Sequence, residues 1–293
     1  MGLIHATRMQ ISLMLNQLNF KLSFTIVMIY ALLTYFIHLI SYINIDVSVM
    51  LSSDALFIGN EDNPLFNLFI KVFPFIVVFP FAFSNILDRE VNILPLLCTR
   101  MTKSHYYWSK LITSFIGGFL IILIPFLINL LLLKITFPNN NNSHFGPYNS
   151  LTYIQDLTGS NVYVSTVSTG LPFLKLYLYS PLLYNLFFTI MLALFAGILS
   201  MFALSFSLWI KKYKVILLIP IFLLFYLSDI ADHLSYNLKY YINFRLLDYV
   251  TINTSFGKLP WFFIAFCLSL LIFSVLRIWI AIRLDMSKGR IPL

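Results

Sequence analysis

Two groups of charged residues in this chain have types and spacings that could do chemistry. The segment 88–110 reads DREVNILPLLCTRMTKSHYYWSK and carries charges at both of its ends. The residues Asp229, Asp232 and His233 follow an i, i+3, i+4 spacing, which places them on one helix face where they could hold a divalent ion. The same residues also make an ordinary polar cap where an apolar helix meets water. We favour the cap and predict no metal site.

The segment 88–110 has an apolar centre, from Ile93 to Leu97, between its charged ends. A connection between two membrane helices needs only a few residues. A connection of this length indicates a short helix offered to a partner, with the charges fixing its register. The alternative is an interfacial loop whose Lys and Arg residues serve only to orient the chain in the membrane. The residues alone leave both interpretations open.

The elements that position these groups are long apolar stretches. Hydrophobic residues make up 60% of the 293 residues and charged residues only 10%, far below the roughly 25% of soluble domains. The stretch from Leu111 to Leu133 has no charge and spans about 34 Å as a helix, enough to cross a hydrocarbon core of about 30 Å. We predict one all-α membrane domain over residues 1–293, with six transmembrane helices at 22–43, 65–87, 111–133, 182–210, 215–228 and 260–284.

The distribution of basic residues predicts the orientation. With six crossings, thirteen of the nineteen Lys and Arg residues fall on the side that holds both termini. The positive-inside rule places that side in the cytoplasm, for a chain in the cell membrane. The net charge of +8 is explained by this topology, and we expect no nucleic-acid partner.

Two segments have the composition of helices that lie in the membrane interface. Residues 1–21 form a predicted amphipathic helix; the alternative is a frayed extension. Its apolar residues Ile4, Ile11, Leu15 and Leu18 repeat at helical spacing, with Arg8, Gln10 and Gln17 turned to the other side. Residues 229–259 are rich in Tyr, which is typical of a region that dips into the outer interface.

The predicted fourth span carries small residues four positions apart. Such pairs let helices approach closely in lipid. We expect this face to pack within the subunit rather than against a second subunit. The pairs are Ala193 and Gly197, Ala196 and Ser200, and Ala203 and Ser207.

Enzyme signatures are missing from the sequence. Gly is found ten times and nowhere as GxxxxGK[ST], the loop that cradles nucleotide phosphates. No HExxH occurs, and the five His residues are scattered. We therefore expect a chain that is not an enzyme and holds no cofactor.

The segment 88–110 resembles the first cytoplasmic loop of ABC-2 type transporter permeases. Members of that family commonly have an acidic residue after the second span, then an apolar run, a basic residue and a closing Lys. Here Glu90, Arg100 and Lys110 match those three positions, whereas Asn92-Ile93 stands where members often have Gly-Thr. The six spans, the interfacial N-terminal helix and the dipping region between the last two spans fit the same plan.

The resemblance implies a transport subunit driven by a separate ATPase. In the family this loop forms a coupling helix that docks on the ATPase, which binds the ATP and Mg. The expected partners are two ATPase subunits and a second permease subunit, identical or related. The expected cargo is an amphipathic or apolar molecule such as an exported peptide, and the alternative is a stand-alone immunity or sensor protein. The residues expected at the coupling contact are Asp88, Arg89, Glu90, Arg100, Lys103 and Lys110.

Overall fold

The computed structural model describes residues 2–47, 50–59, 64–90, 97, 101–138, 176, 179–208, 214–235, 244–249 and 261–287. Arg100, the Asn-rich stretch 139–142 and most of the predicted dipping region 229–259 lie outside these residues.

All regular structure in the described part of the chain is helical. The α-helices are α1 (Leu3–Asn16), α2 (Leu18–Ser41), α3 (Pro64–Val78), α4 (Ser84–Glu90), α5 (Lys103–Thr136), α6 (Pro181–Ser207), α7 (Leu218–Ser235) and α8 (Trp261–Ser287), with short 3-10 helices at Lys214–Leu217 and Leu246–Tyr249. Five of them, α2, α5, α6, α7 and α8, are long and apolar enough to cross a bilayer. They indicate a multi-pass membrane protein, as the composition predicted.

The second predicted span, 65–87, is two helices rather than one. The chain leaves helical geometry between Val78 and Ser84, and Pro80 lies in this break. Proline has no amide hydrogen and its ring crowds the carbonyl of the residue four positions earlier, so it interrupts a helix. The fifteen residues of α3 reach only about 22 Å. The six-span count therefore stays a prediction.

Two helices extend beyond the predicted spans because their charged ends find partners. The third predicted span, 111–133, is the centre of α5, which continues at both ends through Lys110 and Lys134. The fifth, 215–228, was predicted to end before Asp229, whereas α7 runs on to Ser235. The length of an uncharged stretch predicts the part of a helix that can lie in hydrocarbon, but not where the helix begins and ends.

The centre of the structure is the packing of α5 against α6. Of the most apolar part of α6, 72% is buried, against 17% for α7. The six small residues predicted to pack closely on α6 are all buried within the chain. Ser200 accepts or donates a hydrogen bond with Ser114 of α5 at 2.8 Å, and Gly118 lies against the backbone of Ala196. This face therefore packs inside the subunit.

The segment 50–59 folds back into the helix bundle at the Lys134 end of α5. Phe57 and Ile58 are buried, and the Phe57 ring makes an edge contact with Phe126 of α5. The Tyr30 hydroxyl of α2 donates to the Ile58 carbonyl at 3.4 Å. Irregular backbone can lie at membrane depth only where protein satisfies its polar groups, and these contacts provide that protection.

The N-terminal helix is present, but its buried face differs from the predicted one. Gln10 is 2% exposed, and with Ala6 and Met14 it forms the buried stripe. The predicted position of Gln10 on the polar side is wrong. The apolar side chain of Ile4 is exposed instead. Close packing of α1 against α5 depends on the shape of the side chains as well as on their polarity.

The α5–α6 contact predicts the effect of adding one methyl group. A Cβ at Gly118 would lie 2.7 Å from the Ala196 carbonyl oxygen and 2.8 Å from Ser200 Cβ. We expect Gly118→Ala to lower the free energy of unfolding by about 1–3 kcal/mol, because the helices must move apart. Thermal unfolding in detergent measures this, with Gly2→Ala as the control, since Gly2 has open space around it. A stabilised Gly118→Ala, as helix propensity alone predicts, would contradict the close packing.

Candidate functional site

The two ends of segment 88–110 meet through a buried ion pair. Asp88 lies in the last turn of α4, and Lys110 lies two turns into α5. The Lys110 ammonium is 2.7 Å from Asp88 Oδ2, and the Tyr106 hydroxyl donates a hydrogen bond to the same oxygen at 2.7 Å. Two donors from α5 therefore converge on one carboxylate of α4.

The surroundings of Lys110 make its pairing with Asp88 necessary. The Lys110 side chain is 1% exposed, whereas that of Asp88 is 18% exposed. Its ammonium also lies 5.0 Å from the centre of the Tyr106 ring and 5.7 Å from that of Phe81, within cation–π range. A charge removed from water in this way is tolerated only beside an opposite charge.

A second buried contact holds α4 on the other central helix. Asn85, one turn before Asp88, donates from Nδ2 to the Ser207 hydroxyl at the end of α6, at 2.8 Å. Both side chains are buried. The short helix α4 is therefore fixed to α5 by an ion pair and to α6 by a hydrogen bond.

The residues predicted for the coupling contact divide into two groups. Asp88 and Lys110 face each other inside the structure. Arg89 is partly exposed and Glu90 exposed at the end of α4, and Lys103 is partly exposed at the start of α5. Arg100 lies outside the described residues. Contact between these side chains and a partner stays a prediction.

Sequence reasoning missed Tyr106 as a member of this site. Tyr106 precedes Lys110 by four residues, so the two side chains share one face of α5. That spacing was visible in the sequence. The acceptor of the Tyr106 hydrogen bond, Asp88, lies eighteen residues earlier in the sequence. This contact could not be assigned without the fold.

A second ion pair lies at the opposite end of α5. Lys134 Nζ is 3.1 Å from Asp54 Oδ2, and both side chains are partly buried. Asn185 of α6 donates to the Asp54 carbonyl at 3.0 Å. Lys110 and Lys134 are 24 residues apart, about 36 Å along the helix, so the two ion pairs bracket a length similar to the hydrocarbon core.

The two acids near the end of α7, Asp229 and Asp232, interact with Arg245. Arg245 Nε lies 3.2 Å from Asp229 Oδ1 and 3.8 Å from Asp232 Oδ2. Asp232 also accepts the Phe244 backbone N–H at 3.2 Å. These contacts tie the end of α7 to the segment 244–249. Within the described residues, no three His, Cys, Asp or Glu side chains converge as metal ligands would.

Comparison with known protein families, characterised proteins and solved structures finds no match to this chain. Within the described residues, the Asp88–Lys110 pair and the hydrogen bonds of Tyr106 and Asn85 join α4 to both central helices.

The buried ion pair predicts a specific pattern of stability changes. We expect Asp88→Asn to cost roughly 3 kcal/mol in unfolding free energy, because it leaves the Lys110 ammonium buried without an anion. The double variant Asp88→Asn/Lys110→Met should be less destabilised than the sum of the two single variants, by about 1–3 kcal/mol. Chemical denaturation in mixed micelles measures all three. Lys103→Met serves as the matched control and should change stability by less than about 0.5 kcal/mol. Strictly additive effects would show that the pair contributes nothing.

The Arg245 contacts predict unequal roles for the two acids of α7. Asp232 is 8% exposed and accepts a backbone N–H, so Asp232→Asn should cost about 1.5–3 kcal/mol in unfolding free energy. Asp229 is exposed, and its ion pair with Arg245 should contribute about 0–1 kcal/mol. Thermal unfolding of Asp229→Asn and Asp232→Asn compares them directly. Equal losses of unfolding free energy in the two variants would show that the buried hydrogen bond of Asp232 contributes nothing beyond an exposed ion pair.

Proposed function

We propose that this chain is the membrane-spanning permease subunit of an ATP-driven ABC transporter, with both termini in the cytoplasm of a bacterial cell and the ATP and Mg bound by a separate ATPase subunit. The observation that carries the proposal is the fixed junction of α4 and α5. The resemblance of segment 88–110 to a coupling loop motivates it.

The junction has the mechanical property that such a subunit needs. A force applied to residues 91–102 reaches α4 on one side and α5 on the other. Because Asp88 binds Lys110 and Asn85 binds Ser207, a displacement of α4 away from α5 and α6 must break both contacts. The helix α5 is 34 residues long, about 51 Å, and ends beside the Asp54–Lys134 pair. A displacement at one membrane face is thereby linked to the other.

We divide the six predicted coupling residues by their burial and contacts. Asp88 and Lys110 are engaged with each other, so we assign them to force transmission within the subunit. The side chains that reach the surface at the two ends of the loop are Arg89, Glu90 and Lys103. We assign the partner contact to these three and to Arg100.

The assembly that follows has two permease subunits, identical or related, and two ATPase subunits. The apolar, Phe-rich interior is suited to an amphipathic or apolar cargo, and an exported peptide is the cargo class we propose. A stand-alone immunity or sensor protein that acts by binding is the competing function, and it needs no ATPase.

Site-specific cross-linking separates these functions. In a Cys98→Ser/Cys267→Ser background, Glu90→Cys carries a benzophenone label at the end of α4, and Ile135→Cys carries the same label at the far end of α5. We expect irradiation of native membranes to join the Glu90→Cys chain, and not the Ile135→Cys chain, to a protein with a GxxxxGK[ST] motif. Mass spectrometry identifies the adduct.

If the Glu90→Cys chain forms no adduct with such a protein, and the tagged chain purifies alone in mild detergent, the transporter proposal is wrong.

A further inference from the structure

An open groove runs between the N-terminal helix α1 and the central helix α5. The groove has a volume of about 390 Å³, within the range of small-molecule sites. Its lining is almost entirely apolar. The residues that line it are Leu3, Ile4, Thr7, Arg8 and Ile11 of α1 and Ile112 of α5.

The groove is held in shape by close packing beneath it. The Met14 sulfur of α1 lies 2.6 Å from where a Cβ on Gly117 would stand, so the two helices approach closely at a glycine of α5. Ala6 and Gln10 complete the buried stripe of α1. A groove bounded by such a fixed helix is preformed, which lowers the ordering cost of filling it.

Two of the residues that line the groove, Thr7 and Arg8, have polar side chains. The Thr7 hydroxyl donates to the Leu3 carbonyl at 2.9 Å, so it is already engaged. Arg8 is exposed and forms no ion pair among the described residues. The sequence has no Asp or Glu before Asp46. In the described part of the chain, no acidic side chain pairs with the charge of Arg8 beside the groove.

The depth of the groove in the membrane follows from α5. Ile112 lies two residues beyond the buried Lys110, about 3 Å further along the helix. The uncharged stretch of α5 begins at Leu111. The groove therefore lies where the hydrocarbon core meets the headgroup region, with its apolar wall facing acyl chains and Arg8 within reach of phosphates.

We propose that this groove binds an anionic phospholipid, with an acyl chain along Ile4, Ile11 and Ile112 and the headgroup phosphate at Arg8. A basic side chain beside an apolar interfacial surface attracts anionic lipids, and the planar guanidinium of Arg suits a phosphate. The inference requires only the membrane-spanning character of the chain and does not depend on the transporter proposal.

Tryptophan fluorescence tests this binding directly. Trp108 lies one turn before Ile112 on the same face of α5, next to the groove. A chain with Trp209→Phe, Trp261→Phe and Trp279→Phe keeps Trp108 as its one tryptophan. It is reconstituted into vesicles that contain either dibrominated phosphatidylglycerol, which is anionic, or dibrominated phosphatidylcholine, which is zwitterionic. Bromine on the acyl chains quenches a tryptophan that they contact, so titration yields a relative binding constant for each lipid.

We expect the anionic lipid to bind about fivefold more tightly, the equivalent of about 1 kcal/mol for one basic residue. Arg8→Gln should remove this preference and Arg8→Lys should keep most of it. Lys21→Gln is the matched control, because it removes one exposed positive charge of the same acid-free segment away from the groove, and it should leave the preference unchanged.

Three results would overturn the inference. Equal quenching by both lipids would mean that the groove only contacts bulk acyl chains. An unchanged preference in Arg8→Gln would place the anionic site elsewhere. Absence of quenching by either lipid would mean that the groove is covered by protein.

Discussion

A lysine buried at the end of an apolar helix needs a partner for its charge, and α5 has a paired lysine at each end of its apolar stretch. In α5 these are Lys110 and Lys134, and their partners Asp88 and Asp54 come from segments on either side of the helix α3. Lys110 is buried, so removing Asp88 would leave a buried charge without a partner, at a cost of about 3–5 kcal/mol. The two ion pairs connect α4 and the segment 50–59 to α5. The rest of the bundle packs around this arrangement.

Between the two ion pairs the helices are held by close packing and by hydrogen bonds. Lipid provides no hydrophobic force that favours one helix contact over another, so small residues and polar side chains decide the geometry. Gly118 lets α5 approach α6 at Ala196, and Asn129 of α5 donates to the Ala31 carbonyl of α2 at 2.9 Å. Each central contact of α5 thus has an apolar and a polar component.

The sequence predicted the helical membrane class because uncharged stretches such as 111–133 admit few other structures. It placed helix ends poorly, since α7 continues through acids that Arg245 pairs from another segment. Asp88 and Lys110 were two of the six residues predicted at the coupling contact, but their contact with each other was not predicted. Their mutual contact depends on the course of the chain between them, which no local pattern records. The burial of residues 50–59 was equally invisible, because its contacts come from three distant helices.

The Asp88–Lys110 pair holds α4 against α5. Hydrogen–deuterium exchange on the intact chain in nanodiscs tests it, comparing wild type with Lys110→Met and with the control Lys103→Met. We expect faster exchange of the α4 amides, residues 84–90, in Lys110→Met alone, with the segment 50–59 unchanged. Equal exchange of α4 in all three proteins would show that α4 is held by other contacts and that the Asp88–Lys110 pair does not hold it.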